Sequence, residues 1–361
     1  MKIGIVTIVN GASFGNRLQN YATQKVLENN GYTVETINNC FDKEGTLSIV
    51  IKNAIYTLFK FIPHFKKSKS IWKRMYTFYQ WDKQYIDYSH RKIDASKKNS
   101  FVSIKNDYDY FLVGSDQIWN PKYAANKGFE LLSFVPNEKR VSLSTSLGVP
   151  SIPSDLEKLY VTEWNKFKSI SVRENQAAKI IEDLTGTTAA VHIDPTLMLE
   201  RSEWEAFQKK PDNIDENYIL SFFLTNPPKD TVDVLDKVAK DLKIGVLTLD
   251  ASWEYFQDIT PNHFVYLISH ARMIYTDSFH CTVFSLLFGK PVVVFDRFDS
   301  EKMNSRLSTL LNKVNKAHFW VGKKADEAMI RAIASEPEYD IDKLMVSERE
   351  CVKAYLKEYL Q

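Results

Sequence analysis

Short apolar, β-branched runs alternate along the chain with segments whose apolar residues recur at helical spacing. The first run, KIGIVTIV at 2–9, has the length and pattern of a buried strand. A polar loop, NGASFGN, follows. RLQNYATQKVLENNG then places Leu18, Tyr21, Ala22 and Val26 on one helical face and stops at Gly31. YTVETIN at 32–38 reads as the next strand and completes a βαβ unit. The rhythm breaks between residues 41 and 106, an aromatic and basic stretch read as helices inserted into the first domain. It resumes with YDYFLVGSD, RVSLSTSLGV and SISVREN as strands running into loops, with helices over 155–168 and QAAKIIEDLTG, and then AAVHIDPTLML. A second series has strands in NYILSFFLT, KIGVLTLD, RMIYTDSFH and PVVVFD. Between them lie helices in PKDTVDVLDKVAKDLK, HFVYLISHA and CTVFSLLFGK.

This alternation predicts an α/β protein with parallel sheets, organised as two Rossmann-like domains. The polar stretch 200–216, with Pro211, Asp212 and Asn213, marks the expected boundary. Residues 1–205 form the first domain and 206–339 the second. In 340–361, Met345, Val352, Tyr355, Leu356 and Tyr359 fall at helical spacing, so this tail is expected to be a helix joining the first domain. A length of 361 residues suits two domains, and 44% hydrophobic with 25% charged residues supports full cores rather than disorder. Lys+Arg (47) nearly cancels Asp+Glu (45), which argues against a globally basic nucleic-acid binder. Three separated cysteines, Cys40, Cys281 and Cys351, fit no disulfide framework and suit a reducing compartment. The N-terminal apolar run is too short for a signal peptide or anchor, and the chain is expected in the cytoplasm.

In open parallel sheets, ligands sit beyond the carboxyl ends of strands, near helix N-termini. Four segments meet that test. In GASFGNRLQN (11–20), Gly11 and Gly15 permit close backbone approach. The spacing is not GxGxxG, however, and Asn38 stands where a ribose-binding acid would be; the alternative is a tight turn with Asn16 capping the helix and Arg17 solvated. In VGSDQIWNP (113–121), Ser115, Asp116, Gln117, Trp119 and Asn120 offer hydroxyl, carboxylate, amide and aromatic groups suited to a sugar. Equally, Ser115 or Asp116 could cap a helix while Trp119 packs. In SISVREN (169–175), Arg173 could hold a phosphate or carboxylate, or pair with Glu174 or another acid. In TDSFHCTVFSLLFGK (276–290), Asp277, Ser278 and His280 stand where a strand meets an apolar helix. A helix N-terminus disfavours imidazolium, which would suit His280 as acid or base; the alternative is a core histidine bonding the loop.

The stretch KFIPHFKKSKSIWKR (60–74) carries six basic residues and no acid. It could dock on anionic lipid at the inner face of the membrane, or form a solvated face of the insertion, which is the preferred reading. No HExxH or close histidine pair occurs, so no metal site is expected.

Together these boxes resemble the polysaccharide pyruvyl transferase family over nearly the whole chain outside 41–106. The resemblance lies in FGNRLQNYATQKVLENNGYTVETIN, GSDQIWNP, SLGVPSIP, SVREN with HIDPTLML, and TDSFHCTVFSLLFGKPVVVF with KMNSRLSTLL. It implies a GT-B-like pair of domains with an active site in the cleft between them. It also implies transfer of the enolpyruvyl group of phosphoenolpyruvate to two hydroxyls of one sugar, with no cofactor. The family's donor arginine falls on Arg173. Its Arg-Leu-His triplet falls on Ser278, Phe279 and His280, so the histidine is kept and the arginine is a serine; Arg17, Arg272, Lys290 or Arg306 could compensate. On this resemblance His280 is the expected acid/base and Arg173, Ser278 and His280 the donor-binding set. Asn16, Arg17, Ser115 and Asp116 would line the acceptor side. The acceptor would be a lipid-linked or nucleotide-linked sugar of a surface polysaccharide such as a capsule or exopolysaccharide. A GT-B glycosyltransferase using a nucleotide sugar is the alternative enzyme, with Asp250 and Asp296 available for a ribose. A non-catalytic glycan-binding or scaffold protein is the alternative outside enzymes.

Overall fold

A computed structural model describes residues 1–39, 66–122, 127–298 and 305–361, with positions 51 and 54. Two compact units emerge: Met1–Met198 with Arg349–Gln361, and Leu199–Glu348.

In the first unit β1 (Lys2–Val6), β2 (Thr33–Thr36), β3 (Tyr110–Val113) and β4 (Arg140–Ser142) form a parallel sheet in the order β2-β1-β3-β4. The two-residue strands β5 (Ser171–Val172) and β6 (Ala190–Val191) pair beside it. Backbone bonds from Ser142 to Ser169 and from Thr145 to Ser171 tie β5 to the end of β4. β3 is buried at all four positions and β1 at four of five, which is why both read as continuous apolar runs rather than alternating ones.

The helix Phe14–Asn29 is capped by Ser13, whose hydroxyl accepts from the Asn16 amide, so Asn16 lies inside the first turn rather than at its cap. The Phe14 ring centre sits 5.5 Å from that of Phe78. Besides its apolar stripe this helix buries Arg17, Gln19, Asn20, Thr23 and Gln24. One cause is the helix Lys66–Tyr85 lying across it, with Tyr21 against Tyr85 and Arg74 over the rings of Phe14 and Phe78. Burial pushes the Arg74 guanidinium down to about 10. The buried polar groups are bonded among themselves: Gln24 donates to Thr36 Oγ1 and Asp87 O, and Thr36 donates to Asn20. The rest of the expected insertion helices between 41 and 65, Cys40, and the first part of the basic stretch lie outside the described residues.

The C-terminal helix Asp342–Tyr359 enters the first unit at Arg349. There the Tyr355 hydroxyl donates to Ser142 O at 2.9 Å, and its ring meets His192 at 4.8 Å.

In the second unit β7 (Tyr218–Phe222), β8 (Gly245–Thr248), β9 (Met273–Thr276), β10 (Val292–Phe295) and β11 (Trp320–Gly322) form a parallel sheet in the order β11-β10-β9-β7-β8. Helices Lys229–Leu242, Pro261–His270 and Phe279–Leu287 connect its strands. The polar stretch read as a boundary contains a short helix, Arg201–Phe207, started by a capping box between Glu200 and Glu203 and anchored by the fully buried Trp204 against Phe284. Among the described residues no helix is long and apolar enough to cross a membrane.

Candidate functional site

In the first sheet the chain turns to opposite sides at β1 and β3, so their carboxyl ends flank a switch point where ligands of such sheets bind. Thr7 follows β1 and Ser115 follows β3. The Thr7 hydroxyl donates to Ser115 O at 3.3 Å and accepts from Gln19 Nε2 at 2.9 Å, which also donates to Asn16 O. Gln19 therefore joins the expected residues Asn16 and Ser115. Sequence reading missed it, although an amide that close to an apolar stripe is the signal that marks it.

Arg173 follows β5 and is almost wholly excluded from solvent. Its Nη1 donates to Asp194 at 2.6 Å and lies 3.4 Å from Ser115 Oγ. Its Nη2 donates to Asp116 at 3.1 Å, and Nε lies 3.9 Å from Glu174. Burial opposes the charge, and the three carboxylates more than offset it, so the guanidinium pKa is raised. The carboxylates are themselves held. Ser115 donates to Asp194 Oδ2, and the Thr196 amide and hydroxyl donate to Oδ1; Ser146, Leu147 and Gly148 all donate to Glu174 Oε1. Sequence reading named Glu174 as a partner at the surface; the structure buries the pair and adds Asp116 and Asp194, brought in by the loops after β3 and β6. A ligand anion approaching Arg173 would compete with these carboxylates.

Asp116 caps no helix. It stands at φ +69° and bridges to Thr145, which turns its carboxylate toward Arg173. Trp119 offers no open face to a sugar: it is fully buried among Trp164 and Phe167 and donates to Glu130 O. Arg17 is not solvated. It is buried and makes a two-pronged pair with Asp82, at 2.8 and 3.0 Å, on the helix Lys66–Tyr85.

In the second unit, Ser278 caps the helix Phe279–Leu287, its hydroxyl accepting from the Cys281 amide. Asp277 accepts from the Leu224 and Thr225 amides and the Thr225 hydroxyl, tying the end of β9 to the loop after β7. Burial raises its pKa, against those bonds. His280 lies in the first turn, 7% exposed, edge-on to Phe279. The Arg306 guanidinium sits 5.6 Å from the Phe279 ring centre, which puts a buried cation beside this helix start. Of the other candidate replacements for the missing arginine, Arg272 is exposed, and burial lowers the Lys290 pKa. Cys281 is wholly buried and its thiol is pushed up to about 12, which makes it a poor nucleophile. Asp250 is exposed and bonded to Ser252, while Asp296 accepts from the Trp320 indole.

Similar folds occur in solved proteins. The UDP-GlcNAc 2-epimerase of Methanocaldococcus jannaschii shares 9% identity at a TM-score of 0.55, over 99% of this chain and 100% of that one. The same enzyme with UDP-GlcNAc and UDP gives 11% and 0.50, over 99% and 100%. The E. coli ADP-heptose lipopolysaccharide heptosyltransferase II shares 11% at 0.37, over 100% and 98%. At such identities the likeness concerns the fold, which is α/β and GT-B-like with two Rossmann-like units. No curated protein matches the sequence. The family model for polysaccharide pyruvyl transferase matches residues 14–300. That span includes the switch-point residues of the first unit and the Ser278–His280 helix start of the second, and this chain belongs to the polysaccharide pyruvyl transferase family.

Proposed function

We propose that the protein adds pyruvate from phosphoenolpyruvate, as a cyclic ketal, across two hydroxyls of one sugar in a surface polysaccharide or its precursor. A proton adds to C3 of the donor and positive charge develops at C2. One sugar hydroxyl attacks C2, the C2–O bond to phosphate breaks, and a second hydroxyl closes the cyclic ketal; of the two hydroxyl protons lost, one makes good the proton given to C3 and the other leaves with the phosphate. One inorganic phosphate leaves per ketal formed.

The observation that carries this reading is the start of the helix Phe279–Leu287, where a capping serine, a histidine in the first turn and a neighbouring arginine converge within a chain of this family. Helix N-termini favour anions. Ser278 and Arg306 would hold the donor's phosphate or carboxylate there, and His280 would move the proton. Arg173 would act on the donor by exchanging one of its carboxylates for it. Asn16, Arg17, Ser115 and Asp116 would order the acceptor, Arg17 through its pair with Asp82. Contact of the basic insertion with the inner membrane face belongs to the same reading, since an acceptor carried on lipid would be met there.

The test is turnover of 13C2-labelled phosphoenolpyruvate with a panel of hexosides, followed by NMR. Appearance of a ketal carbon with one phosphate released per ketal supports the proposal. Phosphate release that leaves the label in free pyruvate for every acceptor refutes it.

A further inference from the structure

We infer that the second unit holds a separate binding site for an uncharged, hydroxyl-bearing ring, a sugar. The site is a cavity of about 300 Å³ between the carboxyl ends of β7 and β8 and the helix Lys229–Leu242.

The strand register puts Thr248, Ser221 and Tyr275 in one row: Ser221 of β7 faces Thr248 of β8 on one side and Tyr275 of β9 on the other. A helix packed on a parallel sheet normally meets aliphatic side chains at such positions. Here the row carries three hydroxyls, and all three line the cavity. Tyr275 is fully buried and its hydroxyl has no hydrogen-bond partner. An unpaired buried hydroxyl is costly and calls for an explanation.

The remaining walls indicate which ligand would satisfy it. Asp236 from the helix and Asp250 beyond β8 supply carboxylate oxygens that accept from hydroxyls, and Phe223 adds an aromatic wall. Among the described lining residues there is no lysine or arginine, so the cavity does not suit a phosphate or carboxylate. Its volume lies at the small end of ligand pockets, which run from about 300 to 1,000 Å³, and suits a single sugar. Thr225, which lines the cavity, also donates to Asp277, so the site shares a loop with the Ser278–His280 helix start. The inference does not depend on phosphoenolpyruvate being the donor.

Saturation-transfer NMR and calorimetry on the full chain test it, with methyl glycosides of neutral hexoses, uridine, adenosine and glucose 1-phosphate as probes. The expected result is saturable binding of a neutral probe, weakened about tenfold by Tyr275→Phe, the effect of one lost hydrogen bond. Binding by the nucleosides alone would identify the ring as a ribose. Absence of binding by every neutral probe, or tighter binding of glucose 1-phosphate, would overturn the inference. So would wild-type affinity in both Tyr275→Phe and Asp236→Asn. Thr248→Val, on an exposed position of the edge strand β8, carries the test if the Tyr275 variant fails to fold. Phosphoenolpyruvate binding measured on the same samples separates failure of this site from failure of the pyruvyl-transfer reading.

Discussion

The Arg173 guanidinium donates to the Asp194 carboxylate at 2.6 Å, with both side chains almost wholly shielded from solvent. Asp116 and Glu174 complete the cluster. Removing the cation leaves buried carboxylates uncompensated, a loss of about 3–5 kcal/mol for such pairs. Arg173→Met is therefore expected to destabilise the first unit by that amount in urea unfolding, and Arg173→Met with Asp194→Asn by less than the single variant. A single variant as stable as the wild type would show that the Arg173 charge does not offset these buried carboxylates.

His263 occupies the first turn of the helix Pro261–His270, where its Nδ1 accepts from the Thr260 amide in a capping box. Burial, with help from Lys209, lowers its pKa from 6.5. As pH falls below about 6.5 the unfolded chain takes up this proton before the folded one does, so stability is retained above that pH and lost below it. His263→Gln keeps an acceptor at the same helix position and removes the titration. Unfolding measured from pH 7.5 to 5 should show a shallower loss for the variant. Parallel curves would show that His263 does not contribute.

Gly289 has φ +66°, and an added Cβ would lie 2.3 Å from the Tyr339 carbonyl oxygen. Backbone strain of about 1–2 kcal/mol and overpacking of about 1–3 kcal/mol both apply, so Gly289→Ala should cost about 2–5 kcal/mol. A melting curve of the variant checks this. Gly245 has open space around it and no positive φ, and Gly245→Ala serves as the near-neutral control.

Strands that lie deep in parallel sheets were legible because both faces are apolar: β3, β9 and β10 are buried at every position. β11 was not, because it is only three residues long and partly buried, and ends at Gly322. β5, two residues long, fell within SISVREN, read as a strand running into a loop, whereas the two-residue β6 is too short for any period. At the candidate site, the positions of Ser115, Asp116, Arg173 and Ser278 beyond strand ends followed from the alternation of elements. Their partners did not. Arg173 meets Asp116 and Asp194 only because separate loops converge, and Arg17 meets Asp82 only because a helix 65 residues away lies across it. Such pairings depend on tertiary packing, which local pattern does not encode. Trp119 illustrates the same limit, since an aromatic beside polar residues reads alike whether it faces a ligand or a core.

If His280 moves the proton, His280→Ala should lower turnover by about 10²–10⁴-fold, the usual contribution of a general acid or base. The helix start is capped by Ser278 rather than by His280, so the variant should fold. Ketal formation by the variant at the wild-type rate would remove His280 from the mechanism.

The proposed donor is phosphoenolpyruvate rather than a nucleotide sugar. The most direct measurement compares melting curves of the wild type and of Arg306→Ala with phosphoenolpyruvate and with a panel of nucleotide sugars. A ligand at ~100 times its Kd stabilises the state that binds it by about 2.7 kcal/mol, enough to move the midpoint by several degrees. The expected result is a shift with phosphoenolpyruvate that is lost in Arg306→Ala. A shift with a nucleotide sugar and none with phosphoenolpyruvate would contradict it and point to a glycosyltransferase.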